Sequence, residues 1–269
     1  MLANPYLKAL RDARRSLLGW GLTIGGITVL YTMFYPSMSN PSMSNPSMAA
    51  ALKNYPESLK KAFNIEDLTS PQGYLGTYVF GLLVPVLLAV FGIIMGSRVI
   101  AGDEEAGTLD LVLAHPVSRP RLLLARFAAL VTEVLVLCLV VFLLLLAVSG
   151  PAKISAVGPG YLAAATFQMA LFGICIAALT LAVGAATGRR AAAIAAGTAV
   201  AVLGYFANNL APQIKGLEWA RYLSPFFYFS GNKPLVNGVD LGYAGVLVAV
   251  AVLLVAAGLA LFRRRDLAV

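Results

Sequence analysis

Asp103, Glu104 and Glu105 form a run of three carboxylates in a chain that is otherwise poor in charge, and the residues after them set the chemistry they can do. Leu109, Val112 and Leu113 recur at i, i+3 and i+4 behind the acidic cluster, and Pro116 ends the pattern. The segment 101–121 therefore predicts a charged helix that opens at the carboxylates, where the positive end of the helix dipole favours them, and closes in a turn. Its apolar stripe suits a groove, and its acids select a basic rim. Catalytic parts are missing elsewhere. The only histidine is His115, no H-E-x-x-H or G-x-G-D pattern occurs, and no histidine–carboxylate cluster offers a metal site. No lysine follows a glycine, which excludes a P-loop and nucleotide hydrolysis by that route.

The elements that position this segment are apolar. Of 269 residues, 59% are hydrophobic and 12% charged, about half the charged share of a soluble domain. An α-helical span needs about 20 apolar residues, and six stretches supply them, at 16–35, 75–97, 127–149, 161–187, 191–211 and 241–262. They are continuous runs rather than the alternating segments of membrane barrels. The fold class is thus an all-α integral membrane protein with six transmembrane helices in a single domain. Cys138 and Cys175 fall inside spans and read as small apolar side chains, not as a disulfide.

Net charge is +8, yet its distribution points to topology and anionic lipid rather than to nucleic acid. With both termini cytosolic, thirteen basic residues lie inside, from Lys8 to Arg265, against seven outside. Asn4 and Pro5 suit a helix start, and Tyr6, Leu10, Ala13 and Leu17 form an apolar stripe from which Lys8, Arg11 and Arg15 are excluded. This predicts an N-terminal amphipathic helix lying in the interface before the first span turns into the bilayer.

Between the first two spans lies an external loop, 36–74, that begins with the repeats PSMSNPSMSNPSM and is expected to be extended, with a short helix over 49–63. Pro85 predicts a kink in the second span. Gly21/Gly25, Gly92/Gly96 and Gly184/Gly188 each have the spacing that lets helix backbones approach, within this chain or a second copy. The aromatic segment between the fifth and sixth spans, around Ser224-Pro225, reads equally as a re-entrant element or as an interfacial belt. Glu133 is the one ionisable residue inside the spans. A carboxylate there needs an ion pair with a basic residue near the cytosolic face, or else a polar path or a proton.

The sequence D-E-E-A-G-T-L-D-L-V-L-A-H-P-V-S-R resembles the hallmark of type-2 ATP-binding-cassette exporter permeases, an acidic pair before G-T-L-[DE]-x-L-L and a P-[VI]-S-R turn. The match involves Glu104, Glu105, Gly107, Thr108, Leu109, Asp110, Leu113, Pro116, Ser118 and Arg119. Six spans, the amphipathic N-terminal helix, the large first external loop and S-P-F-F-Y before the last span extend it over nearly the full chain, whereas the PSMSN repeats depart from it. The resemblance implies a permease subunit in the plasma membrane of a prokaryote, pairing as a homodimer or with a related permease and driven by separate ATPase subunits. ATP and magnesium would be used by those partners, with no cofactor bound by this chain and no nucleic acid. It makes 101–121 a cytosolic coupling helix, with Asp103, Val112 and His115 joining the matched residues at the ATPase contact. Gly107 would permit a bend, and Ser118 with Pro120 would restart the chain as the third span. Two other classes remain open from the residues themselves: an ion-gradient-driven secondary transporter that uses Glu133, and a non-transporting membrane scaffold.

Overall fold

A computed structural model of the chain describes residues 4–39, 68–109 and 118–265. Every regular element among them is helical. The elements are α1 (Pro5–Ser39), α2 (Pro71–Glu105), α3 (Arg119–Val148), α4 (Pro159–Thr187), α5 (Arg190–Asn209), the short α6 (Pro225–Ser230) and α7 (Pro234–Asn237), and α8 (Leu241–Arg264). All but α6 and α7 are long and apolar enough to cross a membrane, so the six expected spans are present. The repeats beyond Ser39 and the helix expected over 49–63 lie outside the described residues.

α4 is the centre of the bundle. It packs against α2, α3, α5 and α8, while α1 lies mainly along α3. In lipid the attraction between helices comes from close packing and interhelical hydrogen bonds, and the glycine spacings serve both within this chain. Gly92 and Gly96 of α2 press on α4, where the Thr180 hydroxyl donates to the Gly92 carbonyl at 3.1 Å. Gly21 and Gly25 face Leu137, Val140 and Leu144 of α3. Gly184 sits against Ala101 of α2 and Ala193 of α5, and Gly258 brings α8 onto Ala182. The two cysteines are buried and unbridged.

Asn4 caps α1 as its sequence suggests, its side chain accepting from the Tyr6 amide at 3.0 Å. Tyr6, Leu10, Ala13 and Leu17 are half-buried while Lys8, Arg11 and Arg15 are exposed, as the amphipathic stripe requires. No break separates this part from the span, because Pro5–Ser39 is one helix that carries through Pro36 and four residues beyond the expected end at Tyr35. The Tyr6 hydroxyl meets Thr132 Oγ1 of α3 at 2.9 Å, and the Ser16 hydroxyl meets Met95 Sδ of α2 at 3.9 Å. Further along, Gly21 and Gly25 lie beside Leu137 and Leu144 of α3.

The Pro85 kink takes a particular form. The nine residues Leu75–Leu83 are wound as π-helix, and the Val84 amide reaches back to the Val79 carbonyl before the α-helix resumes at Val84–Ser97. A wide turn of this kind accommodates a proline that can donate no hydrogen bond. Ser70 caps α2 through the Gly73 amide at 3.1 Å.

Part of the aromatic segment before α8 packs into the bundle. Ser224 donates to the Gly204 carbonyl of α5 at 2.7 Å and caps α6 through the Phe226 amide at 3.1 Å. Phe226 and Phe229 are buried, with ring centroids 4.5 and 5.8 Å from Phe172, which stands at the middle of α4. A cavity of about 230 Å³ opens beside this element, lined by Gly76 and Phe80 of α2, Ala165 of α4, and Phe229 and Leu235.

A Cβ on Gly96 would overlap the Thr180 hydroxyl and stand 2.8 Å from the Ala177 carbonyl, whereas one on Gly19 meets nothing within 4 Å. Gly96→Ala is therefore expected to destabilise the bundle by about 1–3 kcal/mol and Gly19→Ala to leave it unchanged, as read from thermal melting in detergent. Equal melting of the two variants would refute the packing described.

Candidate functional site

The acidic run lies at the end of a helix rather than at the start of one. α2 winds as π-helix over Arg98–Gly102, makes a last α-turn at Asp103–Glu105, and stops. Gly107 has φ +65°, its amide donates to the Glu104 carbonyl at 3.0 Å, and the Thr108 amide donates to the Asp103 carbonyl at 2.9 Å. These two bonds around a left-handed glycine are the Schellman ending of a helix. The expected helix opening at the carboxylates is corrected accordingly, and Gly107 is a cap rather than a bend within a helix. The described part of the segment ends at Leu109, and Asp110, Val112, Leu113, His115 and Pro116 lie outside the described residues.

Carboxylates at the negative end of a helix dipole are unfavourable by a few tenths to about 1 kcal/mol each, so each must find a positive partner. Asp103 pairs with Arg126 of α3 at 2.5 Å, and the same guanidinium donates to the Val99 carbonyl in the π-wound turn. Glu104, with a side chain 9% exposed, forms an ion pair with Arg265 just past the end of α8. Glu105 accepts from the Arg190 amide at 2.8 Å and so places its charge on the positive end of α5. Three successive side chains thus bind three different helices. Sequence reasoning reserved all three for a partner, while the structure uses Asp103 and Glu104 inside the chain.

The third span restarts at the expected place. Ser118 occupies the cap position, with extended backbone and Pro120 in the first turn, although its hydroxyl makes no capping bond. Arg119 reaches across to α8, where its Nη1 donates to the Arg265 carbonyl at 2.8 Å and to the Phe262 carbonyl at 3.3 Å. A guanidinium there satisfies carbonyls that a helix end leaves unpaired and complements the dipole. Leu109 is 2% exposed and belongs to this chain's own core, which corrects its expected place in a partner's groove. The segment presents outward the turn Glu105, Ala106, Gly107 and Thr108.

Arg126, Arg265 and the Gly188 turn escaped the sequence reading, which took the arginines as topology signals. Gly188 ends α4 with φ +67°, and a Cβ there would lie 2.8 Å from Cζ of Arg265. One signal was available: Gly107-Thr108 directly after the acids is a helix stop.

Glu133 stands apart. It is 4% exposed on the inner face of α3, and it makes no hydrogen bond or ion pair with the described residues. The expected pairing with a basic residue near the cytosolic face is not formed, since the nearest such arginine along α3, Arg126, is taken by Asp103.

The acidic turn thus sits between spans two and three of a six-span bundle and is tied to three helix ends. A protein-family model described as "ABC-2 family transporter protein" matches residues 4–267. The chain belongs to the ABC-2 transporter family. No curated protein matches the sequence. As a multi-pass membrane member of that family the chain is a transport component, and no nucleotide-binding motif accompanies its spans.

Removing the buried partner of an ion pair costs about 3 kcal/mol or more, while a charge at an exposed helix end contributes less than about 1 kcal/mol. Glu104→Ala is expected to lower thermal stability well beyond Glu105→Ala. Equal effects would show that the Glu104–Arg265 pair is not formed in the membrane protein.

Proposed function

We propose that this protein is the permease subunit of an ATP-driven exporter in a prokaryotic plasma membrane, working as a dimer of permeases over two separate ATPase subunits. The arginine-rich end of the bundle faces the cytosol in this reading. The observation that carries it is the exposed turn Glu105–Thr108, backed on its inner side by contacts to α3, α5 and α8. An ATPase that grips such a turn moves three helix ends at once, and the spans then alternate between inward and outward openings. Family membership and the lack of a P-loop support an engine encoded elsewhere. Asp110, Val112, Leu113, His115 and Pro116 complete the contact in this proposal, with ATP and magnesium held by the partner.

The test uses the outward residues and spares the inward ones. Ala106→Arg with Thr108→Arg should reduce the ATPase co-purified with the permease at least tenfold and leave the melting temperature of the permease nearly unchanged. Full recovery of the ATPase by this variant would overturn the assignment of the turn.

A second reading, ion-driven transport, is favoured by the unpaired Glu133 alone. Under the main reading, proteoliposomes holding only this chain take up no protons when a membrane potential is imposed. Uptake that Glu133→Gln abolishes would establish the second reading instead.

A further inference from the structure

If the turn Glu105–Thr108 is pulled, its motion must reach helices to which it is not joined along the chain. α3 follows the segment directly, but α8 begins more than 130 residues later. Between them stands Arg265. Its guanidinium pairs with Glu104 of the acidic turn, and its carbonyl accepts from Nη1 of Arg119 at the start of α3. The guanidinium also lies on Gly188, in the two-residue connection between α4 and α5. No Cβ fits at Gly188, so nothing cushions that contact. The acidic turn, the start of α3 and the α4–α5 connection therefore converge on one residue at the end of α8.

The geometry of these contacts points to Arg265 as the positioning residue that transmits displacement of the acidic turn to α8 and to the α4–α5 hairpin; this rests on the proposed coupling role of that turn. A side chain suits the task for a physical reason. A guanidinium is planar and permanently charged, and its several donors let one group hold Glu104 while it lies close against Gly188. A lysine at this place would keep the charge and lose the breadth of that contact. The ion pair, the Arg119 hydrogen bond and the Gly188 contact all meet at the end of α8, so a shift of the acidic turn by the length of a side chain must either tilt α8 or break the Glu104 pair. The short loop Gly188–Arg189 gives the hairpin no slack with which to escape.

The experiment uses the permease purified with its ATPase in lipid nanodiscs. Cys138 and Cys175 are replaced by alanine, and spin labels are placed at Leu253→Cys on α8 and Leu143→Cys on α3, both exposed positions. In the otherwise unmodified permease, ATP trapped with vanadate is expected to shift the distance between the labels. Arg265→Glu should reduce the amplitude of that shift at least fivefold while the ATPase still co-purifies and hydrolyses ATP. The exchanged pair Glu104→Arg with Arg265→Glu should restore at least half of it. Should Arg265→Glu be recovered in low yield, Arg265→Gln carries the same measurement, with the same loss expected. An undiminished shift in the single variants, or an exchanged pair no better than Arg265→Glu, overturns the inference and leaves the coupling reading in place. A permease that retains no ATPase before any change at Arg265 overturns the coupling reading, and this inference with it.

Discussion

Three negative side chains at the negative end of a helix repel the helix that carries them, and the arginine-rich end of this bundle is organised by the need to offset that repulsion. Asp103, Glu104 and Glu105 are adjacent in sequence and so point in different directions around the axis of α2. Each therefore meets a different neighbour, and the offsetting charges come from Arg126, Arg265 and the amino end of α5. The turn that ends α2 cannot move without disturbing α3, α5 and α8 together. An apolar bundle held by close packing has few ion pairs, and among the described residues both lie at this end.

The opposite end is organised by different means. Tyr74 donates to the Tyr31 carbonyl at 2.8 Å and packs at a tilt against Tyr35 and Tyr78, which fastens the start of α2 to the far end of α1. Phe226 and Phe229 fill the space between α4 and α5, with Tyr205 and Phe172 against them. Aromatic rings supply area and shape, and they tolerate small rearrangements better than ion pairs do. Charge fixes the arginine-rich end and ring packing the opposite one.

Much of this was legible in the sequence. Hydropathy located the six spans, and the Asn4-Pro5 start and the stripe Tyr6-Leu10-Ala13-Leu17 come from local rules that the structure obeys. Ser118 and Pro120 open α3 as expected. The acidic cluster was misplaced by one element because carboxylates favour helix beginnings, and that preference was weighed above the glycine that follows them. Tertiary partners then made the unfavourable position stable, and no local rule reveals partners that lie 23 and 161 residues away. The π-wound stretches were equally hidden, since a single proline announces disturbance without its extent. The two readings of the aromatic segment differ only in membrane depth, and no local signal announces the packing of Phe226 and Phe229 on Phe172.

The connection between α4 and α5 consists of Gly188 and Arg189 alone. Two helices joined so tightly behave like the arms of tweezers, with the pivot at the arginine-rich end and free play growing with distance from it. The tips are held apart by the wedge of Phe226 and Phe229, anchored to one arm through the bond from Ser224 to Gly204. Small rotations at the pivot become wide excursions at the tips, and withdrawal of the wedge would let the arms close.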